Sequence, residues 1–366
     1  MSFPQLAAVG SLSFGLFVCG VALLFASVLT AVTEGMSRHK QPWIPVLMLA
    51  VSALIPFISP DVDFPGDNRN WLITHLVFIA ILMSAQFFTL ELIATLLRAG
   101  LIASVATLLG GAQALAVDER SLFVLDGRLR GVFGHANMTG LVAVATLLLA
   151  LGATKWRKFD LVLSVCVVLA AMSLTSLAAA CIGLAAWLVR ARAARLAVLV
   201  LGLISLFVPM ILVLTMGSRL DPQLFTGRSG TWQWALSLDF DRFTGLGTGL
   251  FETLGAGKFV PWFHAHNQVI MDYVTGGWPL ATATVLLLAS IGAWAVSAHD
   301  PRQLVLWCVL VLQCLTEVPL ILNYPSGGML STAIIVVVIL QVPSIKPSAL
   351  NGIESTKTLS GSLLRG

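Results

Sequence analysis

Long apolar runs, separated by short connections that hold most of the charges, are the feature that most constrains this chain of 366 residues. A helix of about 20 apolar residues crosses a bilayer core of about 30 Å. Hydrophobic residues make up 58% of the chain and charged residues only 10%, whereas a soluble domain has about 25% charged residues. This composition excludes an ordinary water-soluble domain and predicts an all-α membrane protein.

We expect a polytopic protein with about 11 transmembrane helices, within a range of about 10 to 12. The expected spans are residues 6–31, 42–59, 71–90, 99–117, 136–153, 160–175, 177–190, 196–216, 268–297, 304–323 and 328–343. They divide the chain into four regions. Residues 1–216 contain helices 1 to 8 and an outer loop at 118–135, and residues 217–267 form a large loop. Residues 268–343 contain helices 9 to 11, and residues 344–366 form a flexible cytoplasmic tail.

The positive charges predict how these spans are oriented. Most of the 21 Lys and Arg fall in alternate connections and in the tail, and cytoplasmic connections hold the excess of positive charge. The N-terminus is then outside and the C-terminus is cytoplasmic. The large loop 217–267 is extracytoplasmic, and because it contains Trp232, Trp234 and Trp262 we expect it to form a folded, partly helical cap.

Three arginines, Arg128, Arg130 and Arg228, lie in the predicted outer connections, against the usual charge bias. The planar guanidinium fork suits phosphate oxygens, so these side chains suggest a phosphate-bearing ligand at the outer surface. The alternative is that they reach toward lipid headgroups or pair with nearby aspartates. Around Arg228, Gly227 is expected to make a tight turn and Ser229 to cap the following helix.

Two histidines, His264 and His266, directly precede the ninth expected span. Histidine transfers protons near neutral pH, so one of them is a candidate acceptor for the proton of an attacking hydroxyl. Hydrogen bonding without catalysis is the ordinary alternative. A spaced pair of histidines also suits zinc, but no cysteine lies nearby and no His-Glu-x-x-His pattern is present, so no metal is predicted.

A carboxylate, Glu317, falls inside the tenth expected span. An ionisable group at that depth is costly unless it faces water or a partner, which makes it a functional candidate by default. We expect its partner to be an arginine of the outer loops, and a purely structural ion pair is the alternative.

A glycine-rich segment, Gly245–Gly249, lacks the preceding strand and the following Lys-Ser/Thr of a nucleotide-binding loop. We therefore interpret it as a backbone turn.

Four short stretches in this order resemble the bacterial O-antigen ligase and polymerase family of integral-membrane glycosyltransferases. They are Arg130-Gly131-Val132-Phe133-Gly134-His135-Ala136-Asn137, Thr226-Gly227-Arg228-Ser229-Gly230-Thr231-Trp232, Gly245-Leu246-Gly247-Thr248-Gly249, and Ala265-His266-Asn267 followed by Gly276-Gly277-Trp278. The resemblance covers about residues 130 to 330, and the first 120 residues share only their helical, apolar character with the family.

The resemblance implies transfer of a glycan from undecaprenyl diphosphate to a sugar hydroxyl, with inversion and without a cofactor or metal. Arg130 and Arg228 would bind the diphosphate, and Arg128 and Arg219 are further candidates. His266 would orient or deprotonate the acceptor hydroxyl, with His264 as second choice, and Glu317 would orient an arginine or the acceptor. Many members carry a Ser-Arg step where this chain reads Ser173-Leu174-Thr175-Ser176, and Arg219 is expected to replace that missing arginine.

The expected function is polymerisation of lipid-linked repeat units into O-antigen or exopolysaccharide on the outer face of the bacterial inner membrane. The first alternative is a ligase that moves finished glycan onto lipid A core, and the second is a polysaccharide transporter or channel without enzymatic activity. The implied partners are the undecaprenyl-diphosphate donor, a lipid-linked or lipid A core acceptor, the membrane and a chain-length regulator, with no nucleic acid.

Overall fold

The computed structural model describes residues 43–55, 65–84, 88–109, 115–117, 127–133, 136–151, 156–189, 191–248, 251, 254, 264–298, 300–320 and 327–341. Helices account for 83% of these residues, and one two-stranded sheet is present among them. The expected span at 6–31, most of the outer loop 118–135, His135, Trp262 and the tail 344–366 lie outside the described residues.

The α-helices of the described residues are numbered here in chain order. They are α1 (Trp43–Leu54), α2 (Pro65–Met83), α3 (Leu90–Leu109), α4 (Ala136–Ala150), α5 (Arg157–Ala171), α6 (Leu174–Trp187), α7 (Arg192–Ser205), α8 (Val208–Met216), α9 (Arg228–Ser237), α10 (Gln268–Ser297), α11 (Pro301–Thr316) and α12 (Gly327–Gln341). Strands β1 (Leu115–Val117) and β2 (Gly127–Leu129) pair antiparallel between α3 and α4, and 3₁₀ turns at Gly217–Arg219 and Leu224–Gly227 precede α9.

Helices α4 and α11 form the centre of the helix assembly. Almost every residue of α4 is buried, and α4 packs against α3, α5, α6 and α11. Helix α11 contacts α6, α7, α10 and α12 as well. A helix that is apolar on all sides can bury its whole surface only when other helices surround it. Both α4 and α11 are surrounded in this way.

The expectation of about 11 membrane-spanning helices is contradicted. Among the described residues, only α10, with 30 residues, is long and apolar enough to cross a membrane. The bent pair α7 and α8 raises the number to two if it counts as one span. Five other apolar helical segments have 10 to 17 residues, and at 1.5 Å rise per residue a 15-residue helix covers about 22 Å of a core of about 30 Å.

Two prolines explain two of the differences between expected spans and observed helices, whereas the expected span 99–117 is observed as a helix at Leu90–Leu109 followed by strand β1. The expected span 196–216 is broken between α7 and α8, which meet at 44°, and Pro209 lies in the first turn of α8. The expected span 304–323 ends early, because Pro319 disfavours helical backbone at Val318. Helix α11 therefore stops at Thr316, and Glu317 is its extended C-terminal cap rather than a residue deep within it.

A kink in α10 receives the glycine-rich segment. The backbone is non-helical at Gly276 and Gly277, and the carbonyls of Val274 and Thr275 accept the N–H groups of Leu246 and Gly247 at 2.7 and 2.9 Å. A Cβ on Gly245 would lie 2.5 Å from the carbonyl carbon of Thr275. The backbone turn predicted for this segment is confirmed over residues 245–248, where Gly245 and Gly247 have φ of +70° and +82°.

Candidate functional site

The side chain of Glu317 is the centre of the candidate site. Its carboxylate is 2% exposed. Oε1 accepts a hydrogen bond from Arg228 Nη2 at 2.7 Å and another from the Asn137 amide, and Oε2 lies 3.3 Å from His266 Nδ1. The predicted ion pair of Glu317 with an arginine is therefore confirmed, and its partner is Arg228, from the region 217–267.

The two histidines are held by the start of α10. Asn267 caps this helix by accepting the N–H of Ile270 at 2.9 Å. Its amide also donates to the carbonyls of Leu206 and Leu315, at 3.3 and 3.2 Å, which attaches the helix start to the α7–α8 break and to the end of α11. Asn267 thus fixes the backbone that carries His264 and His266.

The imidazoles of His264 and His266 lie against each other, with ring centroids 4.2 Å apart. His266 has a φ of +50°, and its N–H donates to His264 Nδ1 at 3.3 Å. The contact of His266 Nδ1 with a carboxylate favours the tautomer in which Nδ1 carries the proton, because a carboxylate only accepts. The lone pair of His266 is then on Nε2, and the side chain is 29% exposed.

Arg228 is the first residue of α9. Gly227 precedes it with a φ of +87°, so the predicted glycine turn is confirmed. The predicted cap by Ser229 is wrong, since its hydroxyl donates instead to the carbonyls of Asp221 and Leu224. The Arg228 side chain is 19% exposed, and its Nε is buried without a hydrogen-bond partner in the described part of the chain.

Arg128 reaches the same network from strand β2. Its Nε donates to the carbonyl of Ala171 at 3.1 Å, at the end of α5, and Nη2 donates to Asn137 Oδ1 at 2.7 Å. Ser173, two residues farther along, donates to the same Oδ1 at 2.8 Å. Arg128 therefore contacts the segment in which the expected Ser-Arg step is missing.

The other two candidate arginines are placed differently. Arg130 follows β2, and its carbonyl accepts the Thr139 hydroxyl. Arg130 is half-buried, and its guanidinium has no hydrogen bond or ion pair with any residue that the structure describes. Arg219 is exposed in a 3₁₀ turn, and no contact joins it to Glu317 or Asn137 in the described ranges. The arginine that contacts residues 171–176, where the Ser-Arg step is missing, is thus Arg128 rather than Arg219.

Asn137 and Ser173 are members of the network to which the sequence assigned no role. Asn137 belongs to the first of the four resembling stretches, and Ser173 marked the missing Ser-Arg step. A neutral amide in an apolar helix draws less notice than a charge. The signal that could have found Asn137 is its position, seven residues from Arg130 and at the start of a long apolar run.

Three side chains of the site could also hold a metal ion. His264, His266 and Glu317 each present a ligand atom, and these atoms lie within 4.8 Å of one another. Two histidines and a carboxylate are ligands that zinc accepts. Arg228, however, donates to the same carboxylate, and a fixed guanidinium beside a dication is electrostatically unfavourable.

A turn that packs on the kink of α10 is stabilised by a carboxylate. The side chain of Asp241 accepts the N–H groups of Phe243 and Thr244 at 2.7 and 3.0 Å. These two hydrogen bonds favour the charged form and lower the pKa of Asp241 below its ordinary value. The turn leads into the glycine segment that docks on the α10 backbone at Val274 and Thr275.

No protein-family model matches this chain, and no curated protein or solved structure is significantly similar to it.

Proposed function

We propose that this protein is a membrane glycosyltransferase that uses an undecaprenyl-diphosphate-linked oligosaccharide as donor and polymerises its repeat units. The observation that carries the proposal is the convergence of Arg228, His266 and Asn137 on the buried carboxylate of Glu317. A set of cations beside a proton acceptor matches a reaction whose leaving group is a diphosphate and whose nucleophile is a hydroxyl.

The charge balance of the cluster favours an anionic ligand. Among the residues that the structure describes, the contacts of this network join two guanidinium groups, Arg128 and Arg228, to one carboxylate, Glu317, so this part of the cluster has more positive than negative groups. Arg228 uses Nη2 on Glu317, and its buried Nε lacks an acceptor among the described residues. Because an unpaired buried donor costs about 1–3 kcal/mol, a phosphate oxygen that reached it would be bound favourably.

His266 would act as the base in this reaction. The acceptor hydroxyl attacks the anomeric carbon in line, the bond from that carbon to the diphosphate oxygen breaks, and the hydroxyl proton passes to His266 Nε2. Undecaprenyl diphosphate leaves with the bonding electrons, and its added negative charge is stabilised by Arg228, Arg128 and Arg130. A single displacement of this kind inverts the anomeric configuration, and Glu317 keeps Nδ1 of His266 protonated throughout.

Large apolar side chains on the outer helices support a location in the bacterial inner membrane, with the site on its extracytoplasmic side. Leu174, Leu188 and Leu214 are strongly exposed, as are further Leu, Val and Ile residues of α5, α7 and α8. Soluble proteins rarely expose contiguous apolar patches beyond a few hundred Å². Extraction that requires detergent, with resistance to alkaline carbonate, is the expected result of membrane fractionation.

The experiment that tests the proposed activity supplies purified protein in vesicles with one defined undecaprenyl-diphosphate oligosaccharide. We expect a ladder of lengthened glycans, and Arg228→Ala should leave the single unit unused. Arg302→Ala removes an arginine whose ion pair with Asp300 lies at the other end of α11, and it is the matched control. Transfer that occurs only when lipid A core is added would favour a ligase, and no transfer to any acceptor would contradict the proposal.

A further inference from the structure

Asn137 bridges the two charged halves of the site. It lies in the first turn of α4 and is 5% exposed. Its Oδ1 accepts Arg128 Nη2 at 2.7 Å and the Ser173 hydroxyl at 2.8 Å, while its Nδ2 donates to Glu317 Oε1. One short side chain therefore contacts both a guanidinium and a carboxylate.

A carboxamide matches the hydrogen-bonding chemistry of both neighbours. Arginine can only donate and an ionised carboxylate can only accept, so a bridge between them needs an acceptor on one side and a donor on the other. Aspartate lacks the donor, and a hydroxyl has to donate and accept through one oxygen atom, whereas the amide uses two separate atoms for the two partners. The neighbours also decide which atom of the amide faces which partner, with oxygen toward Arg128 and nitrogen toward Glu317.

The bridge is itself anchored to a helix start. Ser173 caps α6 by accepting the N–H of Ser176, and the Ser176 hydroxyl contacts both Ser173 Oγ, at 3.0 Å, and the carbonyl of Asn137, at 3.4 Å. A Cβ on Gly140 would lie 2.1 Å from Ser176 Oγ, so α4 and α6 approach closely at this point. Asn137 consequently has little freedom to follow a displaced partner.

We propose that Asn137 is a positioning residue that sets the distance between the diphosphate-binding Arg128 and the carboxylate that orients His266. The catalytic role of Asn137 rests on the proposed function, whereas its hydrogen bonds to Arg128 and Glu317 do not. Asn137 touches neither the donor nor the acceptor. It acts through Arg128 on donor binding and through Glu317 on the proton-transfer step.

Two effects should therefore follow from Asn137→Ala, each of about 10- to 100-fold. The KM for the lipid-diphosphate donor rises because Arg128 Nη2 loses the Asn137 oxygen that it donates to, and kcat falls because Glu317 loses a donor. In the Arg128→Ala background the same substitution should raise KM no further, and in the Glu317→Gln background it should lower kcat no further. A residue that served only packing would give additive losses in both backgrounds.

The matched control is Gln303→Leu, which removes another buried amide, at the opposite end of α11, about 21 Å along the helix from Glu317. Its effect on thermal stability should add to that of Glu317→Gln, because the two sites are distant. Asn137→Ala and Glu317→Gln should instead couple in the same measurement. The proposal would be overturned if the changes in melting temperature of Asn137→Ala and Glu317→Gln were additive. It would also be overturned if Asn137→Ala had the KM and kcat of the parent.

Two measurements, the binding of the lipid and the coupling of melting temperatures, do not depend on glycosyl transfer. Binding of undecaprenyl diphosphate to the protein in detergent should weaken about 10-fold in Asn137→Ala, relative to the parent. If the parent itself does not bind this lipid, the proposed function fails, while the coupling of melting temperatures still decides whether Asn137 bridges to Glu317.

Discussion

Arg228 and Glu317, 89 residues apart in the chain, form an ion pair of 2.7 Å between the first turn of α9 and the residue that caps the end of α11. The pair joins the predicted cap region to the helical core. Because His266 contacts the other oxygen of the same carboxylate, the position of the imidazole and the position of the guanidinium depend on one side chain.

Glu317→Gln tests this shared dependence. The amide keeps the shape of the side chain but loses the charge that pairs with Arg228 and selects the His266 tautomer. We expect transfer to fall by about 100-fold or more and the free energy of unfolding to fall by about 1–3 kcal/mol. Product formation per folded molecule, measured beside thermal unfolding in detergent, separates the two effects.

The control for this substitution is Asp300→Asn at the start of α11. Asp300 pairs with Arg302 and caps the helix, and asparagine caps about as well as aspartate. Like Glu317→Gln, Asp300→Asn removes one negative charge at an end of α11, but it does not touch the site. Activity should therefore stay close to that of the parent. Equal losses in the two variants would mean that helix stability, rather than the Glu317 contacts, accounts for the result.

Gly245→Ala tests how the glycine segment docks on the kink of α10. The new Cβ would lie 2.5 Å from backbone atoms of Thr275 and Gly276, at a φ of +70°. We expect a loss of about 2–4 kcal/mol from overpacking and backbone strain together. Gly227→Ala is the control, because φ of +87° and ψ of 0° there lie in the left-handed region and a Cβ at that position would meet no atom within 4 Å, so only about 1 kcal/mol should be lost.

Acidification should loosen the turn that precedes this segment. The hydrogen bonds from Phe243 and Thr244 lower the pKa of Asp241, so their stabilising contribution is complete above the ordinary value of 3.8 and is lost as the pH falls through the lowered value. The protection factors of residues 242–248 in hydrogen exchange, which are corrected for the intrinsic pH dependence of the exchange rate, should therefore fall at acid pH. In Asp241→Asn, whose amide oxygen accepts the same bonds without titrating, that fall in protection should be smaller, and an unchanged pH dependence would assign it to another group.

Chelation of metal ions should leave the activity unchanged. Glu317 Oε1 already accepts hydrogen bonds from Arg228 and Asn137, and the guanidinium groups repel a dication from the His264–His266–Glu317 set. Dialysis against EDTA, followed by elemental analysis and a transfer assay, checks this expectation. Loss of activity that one equivalent of Zn²⁺ or Mn²⁺ restores would contradict it and make the two histidines ligands.

The sequence predicted the charged members of the site better than the lengths of the helices. His266, Arg228 and Glu317 attract notice because ionisable groups are rare in so apolar a chain, and the structure brings them together. Asn137 is neutral, so its importance depends on which charges flank it, and only the fold supplies those neighbours.

Hydropathy also fails where the backbone changes direction. An average over residues 196–216 passes smoothly across Pro209, although the chain bends there by 44°. The same average gives no sign of the Gly276–Gly277 kink in α10. The carbonyls next to this kink accept hydrogen bonds from a segment about 28 residues earlier in the chain. Long-range backbone pairing of this kind has no periodic signature in the sequence.

The two histidines should differ in their contribution to catalysis. His266 has its Nδ1 on Glu317, which leaves Nε2 as the proton acceptor, whereas His264 contacts the backbone N–H of His266 and the edge of its ring. We expect His266→Ala to slow transfer by about 100-fold or more and His264→Ala to slow it by about 10-fold or less. Single-turnover rates with a preloaded donor isolate the chemical step from donor binding.

Added imidazole provides the deciding comparison for His266. A small base that diffuses into the space left by His266→Ala can accept the hydroxyl proton, so the transfer rate should rise with imidazole concentration in that variant. The rate of His264→Ala should not respond, because its base is intact. Full activity of His266→Ala without imidazole would reduce the histidine to a structural hydrogen-bond partner of Glu317, and a response confined to His264→Ala would reverse the two assignments.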